Sequence, residues 1–175
     1  MKWLTVFILV FVSTVAYADD GILSVPGHKT ISVNLKWKEE CGSCHVAYPP
    51  QLLTAGDWQR LMEELDRHFD ENAVLDPKDN KKILDFLQSN AGSGKKNSAP
   101  SLRISDTPWF TRKHRAILFI PGVIRSFKNK GPAVKSLSNC TACHINAERG
   151  DWSKRGGIRA PGWQRRDDAI DTGRD

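Results

Sequence analysis

Cysteine placement constrains this chain more than any other feature. The 175 residues contain four cysteines, and all four fall in two copies of one pattern: Cys41-Gly42-Ser43-Cys44-His45 and Cys140-Thr141-Ala142-Cys143-His144. C-x-x-C-H is the attachment pattern of a c-type haem. Cysteines three residues apart lie about one helical turn from each other. Both can therefore form thioethers to one porphyrin while the next residue is held under the iron as its proximal histidine. The pattern predicts two covalently attached c-type haems, one on Cys41 and Cys44 and one on Cys140 and Cys143, with His45 and His144 as iron ligands.

Three other chemistries use the same residue types. A thioredoxin-type Cys-x-x-Cys needs a βαβ context and has no use for a histidine after each second cysteine. A zinc site built from Cys41, Cys44, Cys140 and Cys143 would pair motifs unusually far apart in sequence and again leaves the histidines idle. Two disulfides would each close a loop too short to stabilise much.

The N-terminal segment is read first as an address. Met1-Lys2 is a short basic start, Trp3 to Val15 is apolar, and Ala16-Tyr17-Ala18 precedes Asp19-Asp20. This order is that of a secretory signal peptide over residues 1–18, cleaved after Ala18. The apolar run is shorter than the roughly 20 residues of a spanning helix, so the mature chain is expected to be exported and not membrane-spanning. After cleavage, 25 bases face 20 acids, a net charge of +5. The charge is unevenly spread: residues 19–96 hold 10 bases and 13 acids, residues 97–175 hold 15 bases and 7 acids. An exported chain rarely meets nucleic acid, and no alternation of aromatic and basic residues offers a stacking platform. The basic half is a solvated face or a surface that steers an acidic protein partner.

Apolar periodicity points to a mostly α-helical chain. Alternation of Ile31, Val33, Leu35 and Trp37 suggests an extended start from Lys29 to Lys38. Trp58, Leu61, Met62, Leu65, His68 and Phe69 share one face of a helix expected over residues 56–69. Asp76 followed by Pro77 reads as an N-cap and first turn of a helix ending near Ser89, with Ile83, Leu84, Phe86 and Leu87 turned inward. Residues 90–101 carry Gly, Ser, Asn and Lys without apolar period, which reads as a linker. The expected domains are thus 19–96 and 97–175. Thr107-Pro108 opens a short helix carrying Trp109, Phe110 and His114. From Pro121 onward the chain is dense in Gly, Pro and Arg and little regular structure is expected.

Each iron has a sixth position to fill. The mature chain has one methionine, Met62, and three spare histidines, His28, His68 and His114. His68 lies on the apolar helix face, where an unbonded imidazole costs free energy; it is preferred to Met62 as the first iron's ligand, with a hydrogen-bonded core histidine as the other reading. His114, beside Trp109 and Phe110, suits the second haem, or else is an exposed member of Arg112-Lys113-His114-Arg115. His28 reads as surface. The Tyr48-Pro49-Pro50 loop could offer a carbonyl to the outer nitrogen of His45. No residue stands out as catalytic. The enzyme alternative is a small dihaem peroxidase or ligand-binding cytochrome with one open iron, which would need a general acid beside it.

The sequence resembles the dihaem cytochrome c family known as DHC. The resemblance covers nearly all of the mature chain and rests on EECGSCHVAYPPQLL at 39–53, on Trp58 with the helix reaching His68-Phe69, on Thr107-Pro108-Trp109-Phe110 ahead of His114, and on NCTACH followed by Ala147-Glu148-Arg149-Gly150. It implies a mainly α fold, with a class I cytochrome c-like N-terminal haem domain and a smaller, irregular C-terminal haem domain. It also implies bis-histidine irons, His45 with His68 and His144 with His114. The implied role is periplasmic transfer of single electrons, from a membrane cytochrome b type donor to a soluble haem-protein acceptor, without a small-molecule substrate.

Overall fold

The computed structural model describes residues 21–118, 136–153 and 157–158. The signal-peptide segment and most of the chain beyond Pro121 lie outside these residues. The described chain is mainly helical. Strands β1 (Ile22–Leu23) and β2 (Ile31–Ser32) pair antiparallel, Ile22 with Ser32 and Leu23 with Ile31. Helices α1 (Leu35–Cys41), α2 (Ala55–Glu63), α3 (Pro77–Ser89) and α4 (Pro108–Leu118) follow, with one 3₁₀ turn in each of the first two connections and two between α3 and α4.

Caps set most of the boundaries. The Asp76 side chain accepts from the Lys78 N–H at 2.9 Å and Pro77 opens α3, which closes at Ser89 as its sequence predicts. The Thr107 hydroxyl accepts from the Phe110 N–H at 3.1 Å at the head of α4. The expected strand over residues 29–38 is cut short for the same reason. Asn34 accepts from the Trp37 N–H at 2.9 Å and starts α1, so only Ile31 and Ser32 stay in the sheet and Leu35 is left 60% exposed. The expected helix over 56–69 also ends early. The Glu64 N–H turns back to the Leu61 carbonyl, Leu65–Arg67 form a 3₁₀ turn, and the Leu65 carbonyl accepts from Ala73. His68 and Phe69 therefore sit on a turn and not on a helix face.

Two apolar clusters fill the interior. The first gathers Leu23, Trp37, Ala47, Leu53, Trp58, Met62, Leu65, Ile83, Leu87 and Ala99; the second gathers Val25, Leu52, Trp109, Phe110, Ala147 and Trp152. Tyr48 and Ile104 pack against both. The segment read as a linker is part of this interior: Asn97 and Ala99 are fully buried. The Asn97 amide donates to the Gln51 carbonyl at 2.9 Å, and the Ala99 N–H donates to Asp57 at 3.0 Å. Gly92 is needed where the strap crosses, because a Cβ there would collide with the Gln51 carbonyl and the Asn97 side chain. At the other end of the chain, the Ser24 N–H donates to the Gly150 carbonyl and the Trp152 N–H to the Ser24 carbonyl, which seals the N-terminal segment against the residues after the second motif.

Candidate functional site

The two C-x-x-C-H segments face a common cleft. Cys41 is the last residue of α1, and Gly42 through His45 form the turn beyond it. Cys140 opens a 3₁₀ turn that brings the Cys143 N–H to its carbonyl at 3.1 Å and the His144 N–H to the same carbonyl at 2.8 Å. A cleft of about 780 Å³ lies between the segments, lined among others by Trp37, Cys44, His45, Tyr48, Cys140 and Arg149. Its size falls in the roughly 300–1,000 Å³ range of cofactor clefts.

All four thiols are free. Burial pushes the Cys41 thiol up to about 11 and Cys140 up to about 12, and raises Cys143 as well. Neutral thiols of this kind are poor nucleophiles, which argues against a thioredoxin-type exchange site. Among the described residues no three His, Cys, Asp or Glu side chains converge to hold a bare metal ion, so the four cysteines do not make the zinc alternative.

The histidines meet in pairs. His68 lies with its ring centre 6.2 Å from that of His45, the planes 26° apart. His114 lies 6.1 Å from His144, the planes 70° apart. Different elements deliver the members: α1's trailing turn and the 3₁₀ turn after α2 for the first pair, α4 and the second motif for the other. The Nδ1 of His45 lies 2.8 Å from the Val46 carbonyl and that of His114 lies 2.9 Å from the Phe110 carbonyl. Donating Nδ1–H to these oxygens frees each Nε2 lone pair for a metal. The acceptor for His45 is thus Val46, not the Tyr48-Pro49-Pro50 loop. The Phe110 ring stacks on His114 at 3.9 Å. Burial lowers the pKa of His68, His114 and His144; charge adds to this at His68, from His45 and Arg103, and at His144, from His114. All three are held neutral, the state that binds metal.

Met62 is in the first core, 5% exposed. His28, read as surface, instead packs edge-to-face with Trp109 at 5.4 Å, with a buried Nε2 that has no partner among the described residues. The contact spans 81 positions, and nothing local in Pro26-Gly27-His28-Lys29 announces it.

Two aromatic residues escaped the sequence reading. The Tyr48 ring stacks on His45 at 4.6 Å, 20° from parallel, and its hydroxyl donates to the Ser138 carbonyl at 2.6 Å. That carbonyl also accepts from the Cys140 N–H at 2.9 Å. Burial raises the Tyr48 phenol to about 12, which keeps it a donor. Trp152 packs beside His144 at 5.6 Å, and both its Nε1 and the His144 Nδ1 are buried with no partner among the described residues. The position of Tyr48, three residues after a proximal histidine, was the available signal; Trp152 offered none.

A c-type haem fits these residues. Free thiols line the cleft, and the imidazole after each motif faces a second one brought from elsewhere in the fold. Cys41 with Cys44, and Cys140 with Cys143, would hold the two groups. Comparison with known proteins agrees. The family model for dihaem cytochrome c matches residues 37–152. Two structures of the dihaem cytochrome c of Rhodobacter sphaeroides are similar to the chain. One is 41% identical, covers 67% of this chain and 96% of its own, and has a TM-score of 0.55. The other is 38% identical, covers 67% and 95%, and has a TM-score of 0.56. The dihaem cytochrome c of Shewanella baltica is 35% identical over 74% of this chain and 94% of its own, with a TM-score of 0.59. The comparison with curated proteins finds no match. The chain belongs to the dihaem cytochrome c family of electron-transfer proteins and carries two covalently attached c-type haems.

Proposed function

We propose that this protein is a periplasmic carrier of single electrons in which both haem irons are bis-histidine: His45 and His68 at the haem on Cys41 and Cys44, His144 and His114 at the haem on Cys140 and Cys143. The observation that carries this reading is the spacing of the two ring pairs, 6.2 and 6.1 Å. Metal–imidazole bonds of about 2.0–2.1 Å put two ring nitrogens about 4 Å apart across one metal, and hence the ring centres about 6.3 Å apart. Burial of Met62 in the apolar core supports His68 as the first iron's sixth ligand.

The haems supply the one-electron iron couple. The chain holds the imidazoles and joins the two sites. From the His45 ring the contact passes to the Tyr48 ring, through its hydroxyl to the Ser138 carbonyl, and from there to the Cys140 N–H. Two imidazoles per iron fill the coordination sphere, which suits electron transfer better than turnover of a substrate. The helical residues around the first motif form the class I-like unit, and the 3₁₀ turns around the second form the irregular one. Residues 1–18 direct export, and no helix among the described residues is long and apolar enough to cross a membrane. The partners are a membrane cytochrome b type donor and a soluble haem-protein acceptor, the latter docking on the basic half.

Optical spectra of the protein matured in a periplasm test this reading. Two low-spin haems per chain, without the methionine–iron charge-transfer band, are the expected result. A high-spin haem in the untreated protein would overturn the bis-histidine assignment and favour the peroxidase alternative. Transfer to the acceptor should slow as ionic strength rises; a rate indifferent to salt would remove the docking assignment.

A further inference from the structure

Among the described residues three side-chain-bearing positions have left-handed backbone: Phe69 (φ 53°), Asp70 (φ 77°) and Leu102 (φ 60°). All three belong to one locus. Phe69 and Asp70 directly follow His68, and Leu102 precedes Arg103, whose guanidinium carbon lies 4.3 Å over the Phe69 ring. Left-handed backbone is disfavoured for any residue with a Cβ, most of all for a bulky one such as Phe. Such conformations persist where the surroundings enforce them, and they gather at clamps and switches.

His68 is also the loosest of the four paired histidines. It stands on a turn closed by the Glu71 N–H to its own carbonyl at 3.1 Å, inside a wider turn closed by the Ala73 N–H to the Leu65 carbonyl at 2.8 Å, and its ring makes no hydrogen bond among the described residues. His114, its counterpart, lies inside α4 with Nδ1 at 2.9 Å from the Phe110 carbonyl and the Phe110 ring stacked on its face. Phe69 is 37% exposed, and Asp70 to Asn72 face solvent. The segment from His68 to Asn72 lies inside the bond from Ala73 to Leu65, so it can swing outward while that bond and the buried Leu65 hold the core.

We propose that the first haem site is gated: His68 is a releasable ligand on a strained turn, and its departure admits a neutral diatomic ligand to that haem while the second stays closed. This rests on the bis-histidine reading. The exchange breaks the bond from iron to the His68 nitrogen and forms one from iron to the incoming ligand; the imidazole leaves neutral and no electron is transferred. Outward movement lets Phe69 and Asp70 relax, so the strain raises the population with His68 released. The Arg103 guanidinium at the mouth offers hydrogen-bond donors to a ligand seated there.

The test is rapid mixing of the reduced dihaem protein with carbon monoxide. Its untreated spectrum must first be low-spin at both haems without a methionine band; any other spectrum overturns the ligation on which the gate depends and is distinguishable from failure of the gate itself. Given that spectrum, carbon monoxide should bind one haem of the two, at a rate that levels off with concentration because loss of His68 limits it. His68→Gly should convert this slow phase into a fast one and leave no slow phase; a slow phase that survives beside the fast one would place the gate at the second haem and overturn the proposal. Phe69→Gly removes both ring and strain, whereas Phe69→Leu removes the ring and keeps the strain. The limiting rate should be about tenfold lower in Phe69→Gly than in Phe69→Leu, the equivalent of about 1.4 kcal/mol. Equal rates in the two variants, or no binding at all, would overturn the gate.

Discussion

The two haem sites begin from the same five-residue motif and are secured in opposite ways. At the first, the proximal imidazole is tied, with His45 Nδ1 2.8 Å from the Val46 carbonyl, while the facing His68 stands on a strained turn. At the second, the facing imidazole is tied, His114 to Phe110, while His144 keeps a buried Nδ1 with no acceptor among the described residues. The ring planes differ too, 26° against 70°. The motif thus specifies attachment and the near ligand, and it leaves the far ligand and the surrounding hydrogen bonds to the rest of the fold. A repeated motif does not make a repeated site.

Exchanging the two histidines proposed as far ligands should break the comparison most visibly. His68→Met is expected to raise the first haem's potential by on the order of 100 mV and leave the second in place, since a thioether ligand favours ferrous iron. The solvent-facing turn after His68 leaves room for the different side chain. His114→Met, fixed within α4, should instead give a partly high-spin second haem. Redox titration with spectra checks both, and an unchanged first potential in His68→Met would count against His68 as ligand.

Unmodified protein should already show the difference as two resolved potentials, the second haem being the higher by on the order of tens of mV. The half-exposed His68 ring can donate to water, whereas the His144 Nδ1 is buried with no partner among the described residues; an imidazole whose Nδ1–H finds no acceptor is the weaker base, and it stabilises ferric iron less. A lower potential at the second haem would contradict this.

The strap offers a sharper test of stability. The Asp57 carboxylate accepts from Arg60 at 2.6 Å, Thr54 at 2.8 Å and the Ala99 N–H at 3.0 Å. Burial alone would raise its pKa, yet these donors together hold it below the ordinary carboxylate value. A folded-state pKa below the unfolded one contributes stability above the unfolded pKa, and this contribution is lost as pH falls through the folded one. Asp57→Ala should cost about 2–3 kcal/mol in denaturant unfolding, and Asp57→Asn should flatten the acid limb below about pH 4. Tyr48→Phe is the mildest change, about 1 kcal/mol for one hydrogen bond. It should also speed hydrogen exchange at Cys140, because it loosens the Ser138 carbonyl that both residues share.

Local signals in the sequence were reliable where the cause was local. Asp76-Pro77 and Thr107-Pro108 carry their own caps, so α3 and the head of α4 were legible. Both haem motifs were legible because thioether chemistry dictates their spacing. The apolar period through His68 was followed too far, since the helix ends where Ala73 bonds to Leu65, a contact made from beyond the segment. The strap was missed because its burial depends on partners some 40 positions away, Asn97 on Gln51 and Ala99 on Asp57, and a polar stretch gives no period by which to find them. His28 against Trp109 was missed likewise.

Ser24 and Gly150 share a backbone hydrogen bond although 126 positions separate them. Closing so long a loop costs more chain entropy than any contact within the helical first unit, and contacts of that separation form late. As the chain emerges from its N-terminus, α1 to α3 and the strap can settle around Cys41 and Cys44 before the second motif has arrived. The seam at Ser24 is therefore expected to lock last, when the segment after His144 returns to meet it.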